Sequence, residues 1–136
     1  MADPIRLSLG CGKKLKQGFI GIDIDDHGQE HVLDLGKDKL PFEKKTVDRI
    51  DAFHFLEHLT QPEIIHILNQ CHYILKHGAC LHIVVPHKDH DRAYVLWHKT
   101  FFNEFTFEDL EAIGKWEIVE LIVNNRLDIH CQLKKI

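Results

Sequence analysis

A strand that runs straight into two closely spaced glycines constrains this chain more than any other feature. Ile5 to Leu9 alternates apolar and polar residues and meets Gly10-Cys11-Gly12 at once. Glycine lacks a Cβ, so such a loop can turn sharply and bring bare backbone close to a ligand. It can also be a plain turn. The residues beyond the loop decide between the two.

Three further strands come next. Phe19 to Ile24 ends among acids, with Asp23, Asp25 and Asp26 at its tip; His31 to Leu35 is short; Val47 to Phe53 runs into His54-Phe55-Leu56-Glu57-His58-Leu59. A helix is predicted from Gln61 to His77. Thr60 with Glu63 forms a capping box, Pro62 fits the first turn, and Ile64, Ile65, Leu68, Cys71, Ile74 and Leu75 make one apolar stripe. Gly78 is expected to close it as a left-handed cap. Cys80 to Val85 is a strand stopped by Pro86, and a polar, aromatic stretch runs on to Phe105. Thr106 with Asp109 is expected to open a second helix that reaches Ile113 and stops at Gly114. Trp116 to Val123 and Leu127 to Leu133 then read as a hairpin about Asn124-Asn125-Arg126.

Strands alternating with a helix predict an α/β fold: an open, mostly parallel sheet with an antiparallel C-terminal hairpin and few helices. Residues 1–136 are enough for one domain. Ligands of such sheets bind beyond the carboxyl ends of the strands. The glycine loop, the acids after strand two and His54 to Leu59 all fall there.

Only six residues separate Gly12 from Phe19, too few for a crossover helix. One sheet face is therefore expected to be thinly covered. Parallel strands are usually apolar on both sides. With Ile5, Leu7, Leu9, Phe19, Ile20, Ile22, Ile24, Val32 and Leu33 in the first three, an exposed patch and a homodimer are expected. The contact would use that face or the segment Trp97 to Phe107; alternatively this segment folds back to cover the sheet.

Composition excludes several classes. No apolar run approaches the ~18 residues of a membrane span, and Met1 to Leu7 does not resemble a signal peptide, so a cytoplasmic location is expected. A net charge of −4 argues against general nucleic-acid binding. Lys13, Lys14 and Lys16 form a small basic cluster, either a solvated loop or a contact for a carboxylate or phosphate. Cys11, Cys71, Cys80 and Cys131 form no C-x-x-C pair and read as free thiols.

The chemistry-bearing residues sit at strand ends. Asp23 offers two acceptor oxygens, suited to the two hydroxyls of a ribose. Asp34 can accept from an exocyclic amine or serve a turn. His54, His87, His90 and His98 lie on predicted loops at the same end; His58, nearer the helix, reads as structural. His87-Lys88-Asp89-His90-Asp91 carries metal-ligand residue types, but they crowd one loop, and no metal site is expected.

In order and spacing these pieces resemble the class I S-adenosylmethionine-dependent methyltransferases, most closely the small, type 11-like branch. The resemblance covers about residues 5–86. It rests on Leu7-Ser8-Leu9-Gly10-Cys11-Gly12, Gly18-Phe19-Ile20-Gly21-Ile22-Asp23, Asp34-Leu35, Leu40-Pro41-Phe42, and Val47-Asp48-Arg49-Ile50 leading into His54-Phe55-Leu56-Glu57-His58-Leu59. More loosely, Val85-Pro86-His87 and His98 with Phe101, Phe102 and Phe107 resemble the family's later part.

The resemblance implies a Rossmann-like sheet with S-adenosylmethionine as cofactor. Gly10, Cys11 and Gly12 would pass the methionine part. Asp23, with Ile24, would hold the ribose. Asp34, Leu35 and Leu40 would lie about the adenine, and His54 near the reactive end; Phe42 reads as core. The family usually places a helix before strand one and a fuller one after it, both reduced here; substrate recognition commonly sits on such additions, so the resemblance implies a weak cofactor site or help from another chain.

A sulfonium is already activated, so transfer needs mainly alignment, plus a base where the acceptor must lose a proton. His54, His87 and His98 are the candidate bases. The expected function is methyl transfer to an unidentified acceptor, a small molecule by expectation. The alternative is a catalytically silent, cofactor-binding partner subunit. A nicotinamide-dependent dehydrogenase is opposed by the lack of a third glycine opening a helix.

Overall fold

The computed structural model describes residues 3–136. One seven-stranded sheet forms its centre, in the order β3-β2-β1-β4-β5-β7-β6. The strands are β1 (Arg6–Leu9), β2 (Ile20–Asp23), β3 (His31–Val32), β4 (Val47–Phe53), β5 (Leu75–Pro86), β6 (Trp116–Val123) and β7 (Asp128–Lys135). The first five are parallel; β7 runs antiparallel to both β5 and β6. The described helices are α1 (Gln61–Ile74) and α2 (Glu104–Ala112), with short 3-10 turns at Leu56–His58 and Asp91–Tyr94. The expected open sheet with a closing hairpin and few helices is the observed one.

Two helix ends differ from expectation. The chain leaves α1 at Leu75, already extended at φ −69° and ψ 141°, and enters β5 without a loop. Leu75 is fully buried opposite Val47, and this burial sets the boundary rather than Gly78. Gly78, with a φ of +81°, takes up extra length within β5, where the register against β4 shifts. The second helix starts earlier than Thr106. Asn103 caps it: its Oδ1 accepts from the Thr106 amide at 3.3 Å, and the Asn103 amide donates to Thr106 Oγ1 at 3.2 Å. Asp109 has no part in this cap. The Thr60–Glu63 box of α1 forms as read.

Strand register sorts the side chains onto two unlike faces, because successive residues of a strand point to opposite sides. Leu7, Leu9, Ile22, Ile50, Ala52, Leu81, Ile83, Ile129, Cys131 and Leu133 share one face. They form one core with Ile64, Ile67, Leu68, Cys71 and Ile74 of α1 and Phe107 of α2. The other face carries Arg6, Ser8, Arg49, Asp51, His82, His130, Gln132 and Lys134. The strands are therefore not apolar on both sides, and the expectation of an apolar patch beside β1 and β2 is corrected. The apolar residues counted there lie largely on the helix-covered face, with Leu7, Leu9 and Ile22 buried. That face gives no apolar reason for a homodimer.

At the centre of the polar face Asp51 is almost wholly buried, held by Lys16 Nζ and Arg49 Nε, each at 2.8 Å. The Lys16 ammonium also lies 4.0 Å from the centre of the Phe53 ring. The short link after β1 thus covers the sheet with one lysine instead of a helix. The aromatic segment is divided. Phe102 and Phe107 fold back into the core, their ring centres 5.9 Å apart, while Tyr94, Leu96, Trp97, Phe101 and Phe105 stay exposed. All four cysteines are free, Cys71 and Cys131 buried. Among the described residues no helix is long and apolar enough to cross a membrane.

Candidate functional site

β1, β2 and β4 end together, and a cleft of about 550 Å³ opens beyond them. Gly10 and Gly12 both take a left-handed conformation, with φ of +61° and +56°. A Cβ on Gly10 would collide with the Phe55 ring, so no other residue fits there without displacing the ring. The Gly10 amide donates to the Ile22 carbonyl at 2.8 Å, which ties the loop to β2.

Asp23, at the tip of β2, fastens the same loop. Its Oδ2 accepts from the Gly12 amide at 2.8 Å and its Oδ1 from the Asp25 amide at 3.1 Å. Each carboxylate oxygen has a second lone pair, so these bonds orient the group without exhausting it. It lines the cleft with Gly10, Ile24, Asp34, Leu35 and His54. Asp34 is a turn residue as well, its Oδ1 accepting from the Gly36 amide at 3.0 Å. Cys11 and Gly12 line an adjoining recess on the other side of the glycine loop.

Leu40 is corrected. It is buried in the core, where its amide donates to Gln70 Oε1 at 3.0 Å, and it forms no part of the cleft wall. Burial is what moved it: an apolar side chain before Pro41 packs inward, and Leu35 and Ile24 remain as the apolar lining. Phe42 packs against the core as expected. Sequence reasoning missed Phe55, Glu63 and Lys99 in the wall. Phe55 could have been found from the resemblance motif; nothing in the sequence marks Lys99.

A second cleft of about 460 Å³ adjoins the first, and His54 and His58 border both. Its wall includes Glu57, His90, His98 and Asp128. His54 takes a φ of +54°, rare for a residue with a side chain, and its amide donates to the Val84 carbonyl at 2.7 Å. The chain thereby turns out of β4 so that His54 stands exposed where the clefts meet.

His98 lies in this second cleft, its Nδ1 3.1 Å from the Ala93 carbonyl. A carbonyl only accepts, so Nδ1 donates to it, and in the neutral ring Nε2 keeps a free lone pair. His58, read from the sequence as structural, borders both clefts. Its ring meets that of His98 edge-on at 4.7 Å, and burial, then the neighbouring His98, holds its pKa below the usual histidine value. Glu57 is buried beside them, its Oε1 has no hydrogen-bond partner among the described residues, and burial, with Asp128 adding to it, pushes its carboxyl up to about 7. His87 is placed elsewhere. Its Nδ1 accepts from the Asp89 amide at 3.1 Å and its Nε2 lies 2.6 Å from Glu104 Oε1, so both nitrogens are engaged away from either cleft.

The architecture is shared with S-adenosylmethionine-dependent methyltransferases. One from Methanosarcina mazei superposes with a TM-score of 0.74 at 16% identity, over 100% of this chain and 94% of that one. The Haloferax volcanii complex of the Trm112 methyltransferase activator with its putative methyltransferase matches at 0.74 and 13% identity, over 98% and 83%. The Burkholderia thailandensis 1,6-didemethyltoxoflavin-N1-methyltransferase, solved with 1,6-didemethyltoxoflavin and S-adenosylhomocysteine, matches at 0.73 and 17%, over 97% and 71%. These likenesses establish the fold. No family model matches the chain, and no curated protein matches it in sequence.

Proposed function

We propose that this chain binds S-adenosylmethionine in the first cleft and transfers its methyl group to a small acceptor in the second. The carrying observation is that His54 stands where the two clefts meet, one of them lined by Gly10, Asp23, Asp34 and Leu35. The cofactor's share of the chemistry is a methyl group already activated on sulfur. The chain's residues hold and align. Gly10, Cys11 and Gly12 pass the methionine part, Asp23 accepts from the ribose hydroxyls, and Ile24, Asp34 and Leu35 surround the base. His54, which borders both clefts, is the base for an acceptor that must lose a proton.

Calorimetry with S-adenosylhomocysteine tests this reading. Binding is expected, NAD is not expected to bind, and Asp23→Ala should weaken the affinity by at least ~10-fold with the fold intact, since a hydrogen bond to a charged group contributes roughly 1.5–3 kcal/mol. Binding of NAD alone would overturn the proposal. If Asp25→Ala weakens binding and Asp23→Ala does not, the ribose position is wrong.

A second reading, a subunit that acts with a partner, is favoured by the exposed apolar row of Tyr94, Leu96, Trp97 and Phe101 beside the second cleft. A second copy of the chain is the partner proposed. Light scattering at micromolar concentration decides: a mass near 15.9 kDa, unchanged on concentrating, excludes the dimer.

A further inference from the structure

We propose that Glu57, His58 and His98 form a binding site for a divalent transition-metal ion in the wall of the second cleft. One donor atom from each of these residues lies within 4.8 Å of the others. Donors at about 2.0–2.2 Å from a shared ion stand at most ~4.4 Å apart, so small side-chain rotations bring all three into contact with it.

An independent observation points to the same place. Glu57 is only 2% exposed, yet its Oε1 has no hydrogen-bond partner among the described residues. A buried carboxylate oxygen without a donor is costly, and a cation satisfies it where no protein group does. His98 is also arranged as a ligand. The Ala93 carbonyl, 3.1 Å from Nδ1, accepts from it, so that in the neutral ring Nε2 is the atom open to an ion, the backbone support that ligating histidines commonly have. His54 Nδ1, 4.0 Å from Glu57 Oε2, borders the site.

The donor set selects the metal. Two imidazoles and one carboxylate suit zinc, iron(II) or cobalt(II) better than magnesium or calcium, which prefer oxygen alone. Three protein donors leave positions open toward the cleft. Under the methyl-transfer reading, on which this step rests, those positions favour an acceptor whose reacting group is a hydroxyl, since a nearby divalent ion eases loss of its proton. The other grouping, Asp23, Asp25 and His27, lacks any such unpartnered atom, because Asp23 already accepts from two amides.

Protein stripped with a chelator and titrated with Zn²⁺ by calorimetry, and with Co²⁺ by visible absorption, tests the site. One ion per chain is expected, with cobalt bands showing nitrogen and oxygen ligation. Glu57→Gln and His98→Gln should each weaken binding by more than ~100-fold, beyond the 10–100-fold typical of groups that merely support ligands. His77→Gln, on the exposed start of β5, should not change it. No binding of either ion overturns the proposal, as does binding that survives both substitutions, which would reveal adventitious capture by surface histidines. Should Glu57→Gln not fold, His98→Gln decides alone. S-adenosylhomocysteine binding is measured on the same samples, so loss of that binding with the metal retained would refute the methyl-transfer reading and leave the metal site standing.

Discussion

The same strands build both faces of the sheet, yet the two faces solve opposite problems. On one, Leu7, Leu9, Ile50, Leu81, Ile83 and Leu133 are buried under α1 and α2. On the other, Arg49, Asp51, His82 and Gln132 meet water or one another with no helix of the described residues above them. A parallel sheet is ordinarily covered twice because its strands are apolar twice. This one reduces the need for a second layer by making most residues of that side polar, and it places the most buried of the charged ones, Asp51, under two cations.

The largest effect expected from this contrast comes from Leu81→Ala. Leu81 is almost fully buried, and truncating such a residue costs about 2–5 kcal/mol through lost burial and the cavity left behind. Its neighbour across the sheet on the other face, Gln132→Ala, should cost no more than about 0.5 kcal/mol, as surface changes usually do. Urea denaturation of both variants measures the difference. Equal losses would mean that the polar face is covered in solution, by a second copy or another partner.

Asp51→Ala comes next. It removes two charge-assisted hydrogen bonds and leaves Lys16 and Arg49 free to reach water, with an expected loss of about 1–3 kcal/mol. Lys16→Met should cost about 1 kcal/mol or less, because Arg49 continues to pair the carboxylate. Were Lys16→Met the more damaging, the cover that Lys16 gives to Phe53 and Phe19 would matter more than the pairing.

The two faces were not equally legible. The glycine loop, Asp23 and the Thr60 cap could be read because each depends on local chemistry, a turn, a strand tip or a first helical turn. The apolar residues of β1 and β2 were counted without being assigned to sides. Their alternation with Arg6, Ser8 and Gly21 was visible, but the rule for parallel strands outweighed it. Boundaries set by distant packing were also lost, as where Leu75 opposite Val47 ended α1. Leu40 was misplaced for the same reason, since position next to a motif does not report burial. The grouping of Glu57, His58 and His98 is tertiary: 39 residues of chain separate the two histidines, and nothing local announces that they meet.

The smallest effect expected on the polar face is a pH dependence at His82. Its Cα pairs with those of Asp51 on one side and Gln132 on the other, at mid-sheet. Partial burial, then the Arg49 charge, holds its pKa below the usual histidine value; Lys16 acts in the same direction, and Asp51 and Glu120 oppose them. A histidine lowered on folding takes up a proton more readily in the unfolded chain. Its share of stability is therefore complete above the unfolded value of ~6.5 and is lost as pH falls below it. His82→Gln has no such loss. The variant should gain on the parent between about pH 8 and about pH 5.5, the interval in which histidine titrates. His58 and His72, lowered as well, are common to both chains and cancel in the comparison. Urea midpoints at the two pH values measure the gain, which should be smaller than the loss from Asp51→Ala. A constant difference would mean that water reaches His82 freely, and that the polar face is more open than the positions of Arg49 and Lys16 imply.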